Sequence, residues 1–242
     1  MSEAPAIVLH EGDVFEIEGQ GIVATAKPPG EPVIPARGAA PEACLQRRLE
    51  RQLHRRLFVV HRIDRDASGV VLFATSAETH RALSIAFEER RVAKSYRAFT
   101  AGALTPPSGR LELALHGARK GKTRPAAAGE PGQQAVTEYE TLTTWEVGES
   151  RVSLVEARPL TGRHHQIRVH LRAAGAPILF DTLYARGRTP PSLSAAPCGR
   201  LALHALRIEV PAPRGSARLS IEAPLAGDLE ALALWLSEGG GA

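Results

Sequence analysis

Two short segments hold most of the side chains that could do chemistry. The first is His61-Arg62-Ile63-Asp64-Arg65-Asp66-Ala67-Ser68-Gly69. Apolar runs at 58–60 and 70–75 flank it and suit buried strands, so Asp64 is expected close to the core. A carboxylate there needs compensating charge to stay ionised, and Arg62 and Arg65 are beside it. An ionised, arginine-paired aspartate facing a cleft can act as nucleophile or base. A surface turn laced with ion pairs would gather the same residue types. The second segment is PLTGRHHQIRVH, residues 159–170. It combines a helix start with Arg163, Arg168 and three histidines. A helix N-terminus with arginines suits a phosphate; a capped helix with a solvated basic face is the alternative.

The elements that must position these residues follow from periodicity and turn signals. Strands are expected at 6–10 and 14–18 around Glu11-Gly12-Asp13, and at 22–26 before Lys27-Pro28-Pro29-Gly30. Residues 41–57 suit a helix with Leu45, Leu49, Leu53 and Leu57 on one face. Its arginines, Arg47, Arg48, Arg51, Arg55 and Arg56, suit either a solvated face or an RNA contact. Ser76 is a good N-cap for a helix with Leu83 and Phe87 inside. Further strands are expected at 94–101, 135–145, 151–157, 201–210 and 217–222, the second and third as a hairpin around Gly148. Thr161 is expected to cap a helix over 162–174, closed by Gly175 and Pro177. His164 and Arg168 then lie one turn apart, and adjacent His164 and His165 point to different faces. A last helix is expected over 225–237. Pro/Gly-rich stretches at 28–38, 104–109, 123–132 and 187–199 are expected as loops. Strands outnumber helices without regular βαβ alternation, which predicts an α+β fold with a mixed, largely antiparallel sheet and flanking helices.

Composition narrows the class. The 242 residues are 43% hydrophobic and 23% charged, ordinary for a globular chain and unlike a disordered or fibrous one. They suit one domain spanning 1–242. No apolar stretch approaches the roughly 20 residues needed to cross a bilayer, and the acidic start lacks a signal-peptide pattern, so a cytoplasmic location away from membranes is expected. Cys44 and Cys198 are far apart, which speaks for reduced thiols rather than a disulfide scaffold. His165 and His170 are five apart and no acid lies in that helix, so no metal site is expected. The phosphate-binding and dinucleotide glycine motifs and the serine-hydrolase elbow are missing. Net charge is +4, and all but four of the 30 basic residues are arginine, the side chain that best grips phosphate and stacks on bases.

Six segments, in order, resemble the RluA-type RNA pseudouridine synthase family over about residues 5–222. They are VATAKPPGEPVIP (23–35), HRIDRDASGVVLFA (61–74), KSYRAFTAG (94–102), AVTEYETL (135–142), RPLTGRHHQIRVHLRAAGAPILFDTLY (158–184) and LALHALRIE (201–209). The resemblance implies the pseudouridine synthase catalytic fold and the isomerisation of uridine to pseudouridine in ribosomal or transfer RNA, within a structured loop. It implies Asp64 as catalytic aspartate, Tyr96 against the uracil ring, and Arg168 pairing with Asp64 to keep it ionised. Arg62 would fill the stack vacated by a flipped nucleotide, and Leu203 would pack near the base. Arg163 and Lys27 are weaker candidates for phosphate or structural contacts, and Asp66 and Ser68 for bracing the loop. The reaction oxidises nothing and loses no group, so no cofactor is expected. A monomer without the S4 RNA-binding domain of many relatives is expected, leaving affinity to the catalytic domain. A non-catalytic RNA-binding or folding factor on the same scaffold is the alternative. The chain departs from the family at Phe180, where a glycine is usual before Asp181, at Ile63, at His164 and in the 187–199 loop.

Overall fold

A computed structural model describes residues 6–35, 38, 40–118, 121–185 and 190–240. In chain order its elements are β1 (Ile7–Val8), β2 (Val14–Ile17), β3 (Ile22–Lys27), α1 (Leu45–Leu53), β4 (Phe58–Val59), β5 (Ser68–Ala74), α2 (Ala77–Glu88), β6 (Ala93–Ala101), β7 (Ser108–Ala118), β8 (Lys122–Pro125), β9 (Gln133–Val147), β10 (Ser150–Pro159), α3 (Gln166–Ala173), β11 (Leu203–Pro211), β12 (Arg218–Glu222) and α4 (Gly227–Ser237). The strand pairing is mixed and largely antiparallel, and the fold is α+β. The chain divides into two compact units, Met1–Lys94 with His204–Ala226 and Ser95–Leu203 with Gly227–Ala242.

In the first unit β5 is central and buried along its whole length. β3 runs antiparallel to it from Ile22↔Ala74 to Lys27↔Gly69. β4 pairs antiparallel at Phe58↔Ala74, and β11 runs parallel at His204↔Ser68. A strand paired and covered on both sides needs no polar alternation, which explains the apolar run after Ser68. Ile22, Leu72, Leu83, Ile208 and Ile221 belong to the core of this unit, each side chain contributing about 1.5–3 kcal/mol by its burial. The β5–β11 approach depends on one glycine. Gly69 has φ +113°, and a Cβ there would lie 2.2 Å from the Ala205 carbonyl oxygen. Gly69→Ala is expected to cost about 2–3 kcal/mol, read as a lower urea midpoint; a midpoint equal to wild type would show that the two strands can part locally.

Some boundaries differ from expectation. β1 and β2 do not pair with each other; β1 runs parallel to β12 and β2 pairs with β3. The turn between them closes on itself, Asp13 N–H on the His10 carbonyl and His10 N–H on the Asp13 carboxylate, while Gly12 N–H reaches the Ala26 carbonyl. α1 is shorter than the leucine spacing suggests, because His54 turns left-handed at φ +50° and its N–H closes the helix end. α2 starts as expected, with Ser76 Oγ accepting Thr79 N–H at 3.1 Å.

In the second unit the strands run antiparallel in the order β6-β10-β9-β7-β8. β9 and β10 form the expected hairpin, with Gly148 at φ +59°. β7 and β8 are additions to the sequence expectation, and β8 occupies the start of the stretch expected as a loop at 123–132. Leu111, Leu113 and Leu115 alternate as a strand should, but Pro106, Pro107 and Gly109 obscure the signal; the long β9 supplies the partner backbone. α3 begins at Gln166 rather than 162. His165 is left-handed at φ +53° and no side chain caps the helix, so Thr161 is not its cap. α4 buries Leu229, Leu232 and Leu236 and exposes Leu234. No helix among the described residues is long and apolar enough to cross a membrane.

Candidate active site

In the first unit, residues 61–67 form an irregular loop between β4 and β5. Ile63 and Ala67 are buried and anchor it, Asp64 is half-buried, and Arg62, Arg65 and Asp66 are exposed. Ala67 N–H bonds the Asp64 carbonyl at 3.2 Å, making a tight turn around Arg65 and Asp66. A second loop clamps this turn. Lys27, fully buried at the end of β3, donates from Nζ to the carbonyls of Pro28 (2.6 Å), Glu31 (2.9 Å) and Arg65 (2.9 Å). Gly30 N–H also bonds the Arg65 carbonyl at 2.9 Å, and Arg65 Nε returns a bond to Gly30 O at 2.8 Å. These three bonds tie the end of β3 to the turn at Arg65 and hold the ammonium inside. A charge removed from water needs such donors satisfied.

Two histidines brace the strand that follows. Ser68 Oγ and His204 Nδ1 are 2.9 Å apart, and His204 Nε2 is 2.9 Å from the Ala223 carbonyl. That carbonyl can only accept, so Nε2 carries the proton and Nδ1 accepts from Ser68. Ser68 therefore braces the loop end as expected, while His204 was missed although it lies in one of the matching segments. His61 stacks on Phe87 and its Nε2 accepts Leu72 N–H at 3.0 Å. Burial, helped by the nearby Lys94 charge, lowers the His61 pKa to about 3; burial also lowers Lys94 to about 8.

These shifts set a pH dependence. A histidine with a lowered folded pKa binds a proton more readily in the unfolded chain, so its stabilising effect is complete above about 6.5 and drains away as pH falls toward 3. By pH 4 about 3 kcal/mol of the His61 contribution is lost, from the slope of about 1.4 kcal/mol per pH unit below about 6.5. His170, also lowered by burial, acts in the same direction. His61→Gln, which keeps an acceptor but does not titrate, is expected to flatten the fall of the urea midpoint between pH 7 and pH 4. A slope identical to wild type would remove His61 from that account.

The arginines of residues 47–56, in and just after α1, are mostly committed. Arg47 pairs with Glu50 at 2.7 Å, Arg48 with Glu31 at 3.0 Å, Arg51 with Glu42 at 2.9 Å and Arg55 with Glu16 at 2.5 Å, while Arg56 lies over the Phe58 ring. Most partners come from outside the helix, so its apparent basic face is largely neutralised.

In the second unit, the 159–170 segment is wired to β9. Gln166 Nε2 donates to Val136 O and Thr137 Oγ1, both at 2.9 Å, and its Oε1 accepts from Thr161 Oγ1 (2.7 Å) and Arg163 N–H (3.0 Å). Thr161 Oγ1 in turn accepts Val136 N–H at 3.0 Å. Arg168 is buried in α3 and makes a bidentate pair with Asp181, Nε to Oδ2 at 2.7 Å and Nη2 to Oδ1 at 2.8 Å. Asp181 Oδ1 also accepts the N–H groups of Leu183 and Tyr184 at 3.0 Å, and the Arg168 guanidinium lies 5.0 Å from the Tyr184 ring centroid. Asp181 and Tyr184 were missed as site residues; their signal was the Asp181-Thr182-Leu183-Tyr184 run that ends the long matching segment. Phe180 keeps a left-handed backbone at φ +58°, a conformation that suits the glycine usual in relatives.

The expected shared face of His164 and Arg168 does not form, since His164 lies before the helix and is exposed while Arg168 is buried. Nor do His164 and His165 diverge: their rings stack with centroids 3.6 Å apart. Tyr96 is half-buried on β6 opposite Ala157. Arg163 is exposed, with Nε on the Gln134 carbonyl at 3.2 Å. Leu203, at the start of β11, is buried. Residues 187–189 of the long connection lie outside the described residues.

Comparison with known proteins places this geometry. The profile of the family described as RNA pseudouridylate synthase matches residues 21–173. The dual-specificity RNA pseudouridine synthase RluA of Salmonella typhi is 32% identical over 211 residues, 87% of this chain and 92% of that protein. The tRNA pseudouridine synthase C of Haemophilus ducreyi is 34% identical over 188 residues, 73% of this chain and 76% of that protein. Among solved structures, human RNA pseudouridylate synthase domain containing 4 superposes with a TM-score of 0.73 at 25% identity, covering 91% of this chain and 92% of that one. Motifs, fold and matches over most of its length agree, and the chain belongs to the RluA-type RNA pseudouridine synthases, a family of isomerases.

Proposed function

We propose that this protein isomerises uridine to pseudouridine in a structured loop of ribosomal or transfer RNA, with Asp64 as the catalytic aspartate. The observation that carries the assignment is the clamped turn: one half-buried carboxylate, flanked by exposed Arg62 and Arg65, on a loop held by Lys27. The reaction breaks N1–C1′, turns the uracil and joins C5 to C1′; N1 gains a proton and C5 loses one. A carboxylate at the sugar supports this either by attacking C1′ as N1 leaves, through an oxocarbenium-like state related to those of glycosidases, and being displaced when C5 bonds to C1′, or by taking the C2′ proton as N1 leaves and returning it as C5 bonds to C1′. The target atoms are stacked in RNA, so the nucleotide must flip out, and exposed Arg62 suits the vacated space. Arg168, its orientation set by Asp181, is assigned to keep Asp64 ionised. Tyr96 is assigned to the uracil face, Leu203 to the packing around it and Arg163 to the RNA backbone. The test is tritium release from cellular RNA labelled at uridine C5. Release with pseudouridine in the product supports the reading. RNA binding without release would point instead to a binding or folding factor.

A further inference from the structure

We propose that the cavity beside the β7–β8 hairpin is a second RNA subsite, which takes a phosphodiester and an adjoining base outside the target uridine. The inference rests on the reading that RNA is the substrate. The cavity measures about 650 Å³, within the range of small-ligand sites and roomy enough for one nucleotide. Its wall includes Leu115, His116, Lys122, Thr123, Arg163 and His164. The charged groups among its described lining residues, Lys122 and Arg163, are both cations, both exposed, and no carboxylate shares the wall with them. Glu130, whose Oε1 lies 3.6 Å from His116 Nε2, is itself held by a bidentate pair with Arg124 at 2.6 Å. The groove along α1 offers the contrast. It has more arginines, but Glu42 and Glu50 stand in its wall and pair with them. An anion gains more where the cations have no acid beside them.

The wall is pre-organised. Thr123 N–H donates to Tyr184 Oη at 2.7 Å, and Tyr184 Oη lies 2.8 Å from His165 Nδ1. Thr123 Oγ1 also lies 2.9 Å from His164 Nδ1, and the His164 ring stacks on His165. β8 and the loop before α3 are thus held together around the cavity, with His164 as an exposed, ready stacked ring. A base adds to such a platform with little sequence preference, as in single-stranded RNA recognition. Arg163 is aimed by its Nε bond to Gln134 O, which leaves the cation's position defined before RNA arrives.

The test compares Lys122→Gln, the double variant Lys122→Gln/Arg163→Gln, and Arg81→Gln as a charge-matched control on α2. The probe is cellular tRNA and ribosomal RNA labelled at uridine C5, assayed separately for turnover and by filter binding across KCl concentrations. Lys122→Gln is expected to raise apparent KM about 5- to 10-fold with kcat within about twofold of wild type, and the double variant further. The slope of log affinity against log salt should become shallower by about 0.7–0.9 for each phosphate no longer neutralised. Lys122→Arg should restore both, and Arg81→Gln should change neither. Wild-type KM and salt slope in both cavity variants, with wild type turning over RNA, would overturn the cavity alone. A wild type that neither binds RNA nor releases tritium would overturn the reading of function and this subsite with it.

Discussion

Asp64→Asn is expected to fold, to bind RNA, and to lose turnover by about 10³-fold or more. Asparagine matches aspartate in shape but can neither attack a sugar carbon nor take a proton from it. The turn itself should survive, because its bonds run through the backbone carbonyls of Asp64 and Arg65 and the side chains of Lys27 and Arg65, none of which the substitution alters. Tritium release and a urea melt on the same preparation separate the two effects. Release near the wild-type rate from a folded Asp64→Asn protein would remove the aspartate from the chemistry. A lost melt would show instead that the carboxylate is needed for folding, and Asp64→Glu, which keeps the charge but displaces it, would then report on catalysis in the folded state.

Lys27→Met is expected to act through the same turn without touching substrate. Methionine fills the volume but leaves the carbonyls of Pro28, Glu31 and Arg65 without the ammonium. The Arg65 carbonyl keeps Gly30 N–H, so two acceptors are orphaned, each costing about 1–3 kcal/mol when no water replaces the donor, about 2–5 kcal/mol together. The remaining folded protein should still turn over about 100-fold more slowly, because a displacement near 1 Å at a reacting group has that effect. Urea denaturation measures the first effect, and kcat at low temperature, where the folded fraction is high, the second. RNA affinity should hold, since Lys27 is sealed from solvent. A variant that keeps stability and kcat but loses RNA affinity would make Lys27 a phosphate ligand after all.

Much of the fold was legible where local signals had no competitor. The uniform apolar run of β5 announced a strand covered on both sides, and Ser76 announced the start of α2 through one hydroxyl and one N–H. The matching segments carried Asp64, Tyr96 and Arg168 by type and order. β7 was obscured because prolines and glycine at its start outweighed three alternating leucines, and strand formation there depends on β9, a partner about 20 residues distant.

The sequence by itself determined the family, the α+β class and the residues on offer for chemistry, because these follow from residue type, order and short-range period. Only the tertiary structure decided what each polar group does. Lys27 was open to a phosphate or a structural contact, and folding brings its ammonium and Gly30 N–H onto the carbonyl of Arg65, far along the chain. The arginines of residues 47–55 suited either a solvated face or an RNA contact, and folding pairs them with Glu16, Glu31, Glu42 and Glu50. Arg168 was read toward Asp64 by resemblance, and folding pairs it with Asp181, next to a left-handed turn at Phe180. The physical reason is common to all three: a charge's role is set by the partners within about 4 Å, and Coulomb attraction and desolvation act through space, without regard to separation along the chain.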